Sequence, residues 1–170
     1  YGNTGMQLSP ATPYGARTAT SPCSLQHPSG ASQEKKDIFE IWRAHKPPYI
    51  ATVAPRYPLD LEEKFARAAA FTGPKMFLML AACPTGWLYD PGKTPEVAKL
   101  AVETGLWPLK EAINGVVTHT YVPKRKPVEA YLKLQGRFRH LFEPTVQTEA
   151  IQHIQARVDA YWERATREGS

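Results

Sequence analysis

A chain of 170 residues with 42% hydrophobic side chains is long enough to bury one real core, and the lack of any apolar run near 18 residues argues against a helical membrane span. A net charge of +5 is too small and too local to mark a general nucleic-acid binder. The two cysteines, Cys23 and Cys83, stand in unrelated contexts and make poor material for a disulfide framework, which favours a reducing, cytoplasmic setting, and no secretory leader is visible.

Residues 1–22, YGNTGMQLSPATPYGARTATSP, hold Gly, Thr and Pro but almost no aliphatic side chains, so they read as a loop. Gly2, Gly5 and Gly15 allow positive φ or close approach of backbone to a ligand, and Asn3, Thr4, Gln7, Ser9 and Thr12 offer short hydrogen-bonding groups. A loop shaped around a polar ligand and a solvated linker both suit this composition.

Further on, Ile38, Ile41, Trp42 and His45 share one face of a helix that stops before Pro47-Pro48. A short apolar strand over 49–54 follows, and Asp60 with Glu63 resembles a capping box opening a helix to Ala70, striped by Leu61, Phe65, Ala68 and Ala69. The run MFLMLAA at 76–82 is continuously apolar, as in a central strand of a parallel sheet covered on both faces. Cys83 ends that run, where ligands of such sheets collect; a buried thiol serving only as a small hydrophobe is the bland alternative. Thr94 as N-cap and Pro95 as first helical residue open a helix with Val97, Leu100 and Ala101 inward and Gly105 at its close.

Asn114-Gly115 marks a type I′ turn between strands at 109–113 and 116–122. Pro127 starts a helix with Val128, Tyr131, Leu132 and Gln135 inward, carried toward Phe142, and a last helix over 147–167 stripes Ile151, Ile154, Val158 and Trp162. Between Lys124 and His140 six basic side chains, Lys124, Arg125, Lys126, Lys133, Arg137 and Arg139, face Glu129 alone. The run suits an acidic partner or a plain solvated face. Trp107, Phe138, Phe142, Tyr161 and Trp162 form more aromatic surface than so small a region should need, which suggests an arm lying on another subunit. The five histidines show no partner at ligand spacing.

The motifs Tyr-x-Asn-Thr-Gly-x-Gln at 1–7, Ser-x-x-Thr-Pro-x-Gly-Ala at 9–16, Thr-x-Thr-Ser-Pro at 18–22, Lys35-Lys36-Asp37 and Cys83-Pro84-Thr85-Gly86-Trp87, with 97–108 and 131–141, resemble the beta subunits of the 2-oxoacid:ferredoxin oxidoreductases, most nearly those acting on pyruvate. The resemblance implies an α/β fold, the C-terminal half of a thiamin diphosphate-binding fold with a mainly parallel sheet, followed by a hairpin and a helical arm. It divides the chain into 1–106, the cofactor-domain part, and 107–170, the subunit-contacting part. It also implies alpha, gamma and delta type partner subunits, ferredoxin, pyruvate and coenzyme A, with no nucleic acid and no membrane.

By the same resemblance Asn3 donates to an oxyanion beside the thiazolium, while Thr4, Gly5 and Gln7 shape the cofactor pocket. Cys83 corresponds to the last of four thiolate ligands of a 4Fe–4S cluster. The Mg2+ and diphosphate ligands, in a Gly-Asp-Gly motif, and the other three cluster cysteines would lie ahead of Tyr1, so the 170 residues alone should be inactive. Cys23 has no counterpart. Two other readings compete: a binding module without chemistry built on 124–139, and a structural subunit whose loop has lost its ligand.

Overall fold

A computed structural model describes residues 12–18 and 30–168. Its organising strand is β1 (Tyr49–Val53), in which all five residues are buried. β-branched and aromatic side chains on both faces suit a strand covered on two sides. β1 pairs in parallel with β2 (Lys75–Met79) and antiparallel with β3 (Leu109–Ile113). β4 (Val116–Tyr121) adds to β3 across the expected hairpin, giving the order β2-β1-β3-β4. Asn114 and Gly115 have φ of 50° and 86°, the left-handed pair that a type I′ turn needs.

The fold is α/β, but strand direction departs from the mainly parallel sheet: one pair is parallel and two are antiparallel. The parallel pair is joined through a crossover helix, α2 (Pro58–Ala69), as parallel strands must be. From β2 the chain runs through α3 (Pro84–Trp87), a 3-10 turn (Pro91–Lys93) and α4 (Thr94–Glu103), and this return delivers β3 in the opposite sense. The expectation of a central strand at 76–82 also fails. β2 is an edge strand among the described residues, and only Leu78 of its five residues is buried. The run stayed apolar because Leu80, past the strand end, turns into the core and its N–H donates to Val53 O at 2.9 Å.

One core cluster joins the sheet, α4, the short α5 (Glu129–Leu132), the 3-10 turn Gly136–Leu141 and α6 (Thr148–Glu168). Ile151, Ile154, Val158 and Trp162 are buried as the periodicity required, as are Val97, Leu100 and Ala101. The aromatic side chains expected on an arm belong to this core: Trp107, Phe138 and Trp162 are buried, and Phe142 and Tyr161 pack against them half-buried. Trp107 Nε1 donates to Val53 O at 3.3 Å and Trp162 Nε1 to Gly105 O at 3.1 Å, so both indoles are satisfied inside.

Four helices differ from the reading in their faces or ends. In α1 (Ile38–Ala44) the buried residue is Phe39, whereas Ile41 and Trp42 are 47% and 45% exposed. In α2 Asp60 does not cap; it accepts from Lys64 Nζ at 2.7 Å, and Lys64 is buried because Thr52 O also accepts its proton, at 2.9 Å. Phe65 is left 44% exposed. The helix expected from Pro127 to Phe142 ends at Leu132, and a 3-10 turn starts at Gly136, whose N–H donates to Leu88 O at 2.8 Å. A Cβ there would collide with that carbonyl. Thr94 is the first helical residue of α4, not its cap.

Gly105, at φ +80°, closes α4 against the indole of Trp162, and any Cβ would overlap the ring nitrogen. Gly115, at φ +86°, has open space around it. In the full-length subunit Gly115→Ala should therefore cost only the left-handed strain, about 1–2 kcal/mol. Gly105→Ala adds an overpacking cost of roughly 1–3 kcal/mol. Thermal unfolding of the two variants tests this ordering, which an equal fall in Tm would contradict.

Candidate functional site

Past the end of β2, extended backbone at Cys83 caps α3, and the N–H of Gly86 donates to its Sγ at 3.3 Å. Pro84 opens the helical turn, where a missing N–H is no loss. The thiol is partly exposed, and the turn is held from below by Trp87, which is buried. Over the Trp87 ring, 4.0 Å from its centroid, lies the guanidinium of Arg137.

Arg137 is fully buried, and its Nε donates to Gln135 Oε1 at 2.9 Å. Gln135 in turn donates to Tyr131 O at 2.8 Å. Burial pulls the pKa of Arg137 down to about 10, opposed by Tyr131, Tyr89 and Cys83 nearby. Its carbonyl accepts from Arg17 N–H at 2.7 Å. That bond, with Gly15 N–H to Ala31 O at 2.8 Å and Ala31 N–H to Ala16 O at 3.0 Å, anchors residues 12–18 beside the Cys83 turn.

Between the sheet and α6 a cleft of about 310 Å³ is walled by apolar side chains such as Leu78, Leu80 and Trp107. Lys35, Lys110 and Arg137 line it as well. Each rests on aromatic rings: Lys35 Nζ is 5.2 Å from the Trp107 centroid, Lys110 Nζ 4.2 Å from that of Phe39, and Arg137 also flanks Phe138 at 5.0 Å. Burial, with a smaller contribution from Arg137, lowers Lys35 to about 8. Lys110 is also lowered by burial, against the pull of Asp37 and Glu40.

Of the residues singled out from sequence, Asn3, Thr4, Gly5, Gln7 and Cys23 lie outside the described residues. Cys83 stands at the carboxyl end of an edge strand, and no cluster of three or more His, Cys, Asp or Glu able to hold a metal occurs among the described residues. The basic run does not form one patch. Arg137 is interior, Lys126 pairs with Glu103 at 2.8 Å, Arg125 with Asp159 at 3.2 Å and Lys133 with Glu129 at 2.9 Å. His153, read as lacking a carboxylate, meets Glu34 at 3.0 Å, and His119 meets the Tyr161 hydroxyl at 2.8 Å. Sequence reasoning missed Lys110 and Lys35 as cleft residues and Arg137 as a buried cation. The aromatic neighbour Phe138 was the signal available for Arg137.

The described α/β sheet carries a cysteine-capped turn past the end of β2, with residues 12–18 anchored near it. No family model matches the chain. It is 46% identical over 160 residues to pyruvate synthase subunit PorB of Methanocaldococcus jannaschii, covering 94% of this chain and 52% of that protein. It is 42% identical to the PorB subunit of Thermotoga maritima, covering 96% and 51%, and 41% identical to ketoisovalerate oxidoreductase subunit VorB of Pyrococcus abyssi, covering 96% and 52%. The chain belongs to the family of 2-oxoacid oxidoreductase subunits of the PorB type. It spans about half the length of the curated relatives it matches.

A lysine whose folded pKa lies below its unfolded value destabilises the fold wherever both states are protonated, and the penalty is relieved as pH rises between the two values. Lys35→Met in the full-length subunit should thus raise stability by roughly 1–3 kcal/mol near pH 7. The gain should shrink from pH 8 toward 10.5. Denaturant titrations at pH 7 and 10 check it; a gain that does not change with pH would place Lys35 in water.

Proposed function

We propose that this chain is part of the beta subunit of an enzyme that oxidatively decarboxylates pyruvate to acetyl-CoA, or runs the reverse synthesis, with ferredoxin as electron carrier. The carrying observation is the identity of 46% over nearly the whole chain to a protein named pyruvate synthase subunit PorB. The complete enzyme would be a cytoplasmic hetero-oligomer with alpha, gamma and delta type subunits. Thiamin diphosphate held through Mg2+ supplies carbanion stabilisation, and a 4Fe–4S cluster passes electrons singly.

Cys83 suits the role of one cluster ligand: its sulfur is partly exposed and already accepts a backbone N–H, the kind of contact that tunes such clusters. The remaining ligands would come from residues outside this chain, which is why the 170 residues alone are expected to be inactive. Asn3 would donate its amide N–H to the oxyanion that develops as the substrate carbonyl is attacked, and Thr4, Gly5 and Gln7 would shape the wall beside it. The 41% identity to a ketoisovalerate oxidoreductase subunit favours a branched-chain 2-oxoacid as the second reading of the substrate.

The test is the full-length subunit assembled with its partners under anaerobic conditions, assayed for ferredoxin reduction with pyruvate and with 2-oxoisovalerate. Coenzyme A-dependent reduction with pyruvate preferred is expected; preference for the branched acid would select the second reading, and reduction with neither would overturn both. In that assembly Cys83→Ser should lower iron content and alter the reduced-state paramagnetic resonance spectrum, while Cys23→Ser changes neither. An unchanged spectrum in Cys83→Ser would remove Cys83 from the ligand set. Asn3→Ala should cost on the order of 10²–10³ in kcat with thiamin affinity nearly preserved.

A further inference from the structure

Arg137 has no part in the chemistry proposed above, yet two separate contacts fasten it to the Cys83 turn. Its guanidinium lies on the ring of Trp87, 4.0 Å from the centroid, and the N–H of Gly136, the residue before it, donates to Leu88 O at 2.8 Å. Trp87 in turn donates its N–H to Cys83 O at 2.9 Å. One short turn thus carries the thiol at one end and the seat of the guanidinium at the other. Arg137 is 1% exposed, and two of its hydrogen bonds, to Gln135 Oε1 at 2.9 Å and the Tyr131 hydroxyl at 3.5 Å, go to neutral groups. Burial pulls its pKa down to about 10, which leaves a cation at neutral pH, and Cys83 is among the groups that oppose the pull.

We propose that Arg137 is a positioning residue whose charge raises the reduction potential of the cluster that Cys83 ligates. The inference rests on the reading of Cys83 as a cluster ligand. Reduction adds one negative charge to such a centre, and a cation fixed close by, away from water, stabilises the reduced form. Net charge and hydrogen bonds to the sulfurs are the levers a protein has on the potential. Gly86 N–H supplies the second, at 3.3 Å from Cys83 Sγ, and Arg137 the first. A side chain needed only for packing on Trp87 would serve better without a charge, because an apolar residue of similar volume escapes the desolvation cost. Whatever else the guanidinium bonds, a neutral side chain in its place removes one unit of charge from the turn.

The test is a redox titration of the full-length subunit in its anaerobic complex, followed by paramagnetic resonance of the signal that Cys83→Ser alters. In Arg137→Gln, with iron content retained, the ratio of reduced to oxidised cluster at the wild-type midpoint should fall at least tenfold. For one electron that is a potential lower by about 59 mV. Arg137→Lys keeps the charge and should stay within threefold of wild type.

Gln135→Glu covers the case in which Arg137→Gln does not fold. It sets a carboxylate against the guanidinium without touching Arg137 or its seat on Trp87, and the nearby cation keeps that carboxylate ionised. The ratio should then fall at least threefold. An unchanged potential in Arg137→Gln, an equal fall in Arg137→Lys, or, where Arg137→Gln does not fold, an unchanged potential in Gln135→Glu would overturn the proposal while leaving Cys83 as a ligand. A Cys83→Ser complex with every signal intact would overturn both the ligand reading and this one.

Discussion

Strand β1 is hydrogen-bonded on both edges and buried on both faces, and every other element is placed by what it must do to keep it so. A strand in that position has no access to water for any backbone group, so β2 and β3 are obligatory neighbours. The same burial draws in charged groups from the flanks. Lys64 reaches over to Thr52 O, and Arg67 and Glu111 meet around the Tyr49 hydroxyl, whose ionisation is opposed first by burial and then by the adjacent Glu111. Lys64, Tyr49 and Glu111 are buried polar groups with partners supplied by the protein, the condition under which such groups are tolerated inside.

The opposite side of the sheet uses a different solution for its cations. There Lys110 and Arg137 lie on ring faces, and Glu40 bridges Lys110, at 3.7 Å, and Arg43, at 2.6 Å. Aromatic faces help to hold both cations in place. That arrangement links the packing of Trp87 beneath the Cys83 turn with the anchoring of residues 12–18 at the carbonyl of Arg137.

Long-period patterns were legible in the sequence. The stripe of α6 repeats over 21 residues, enough turns to identify its buried face, and Asn114-Gly115 names its own turn chemistry. Short helices were not. Seven residues of α1 offer two apolar faces, and only the position of Phe39 under Lys110 chooses between them. Cations whose partners lie far along the chain were also invisible: Arg137 and Trp87 meet across fifty residues, and no local pattern encodes that meeting. The basic run at 124–139 misled for a related reason, because composition counts charge without regard to which side chains turn inward. The motifs at 1–7 and 83–87 carried the family, while the residues at 1–7 fall outside the described structure.

The outer side of β2 has a consequence for handling the polypeptide. Among the described residues no strand pairs with that side, and Phe65 stacks on Phe77 beside it, ring to ring at 4.0 Å. A strand margin bordered by aromatic rings is, wherever no partner covers it, a template for sheet extension between molecules. Lys75 at the first position of β2 is the charge available on that strand to discourage it. Any stretch of that margin left uncovered is where strand-to-strand self-association of these 170 residues would begin.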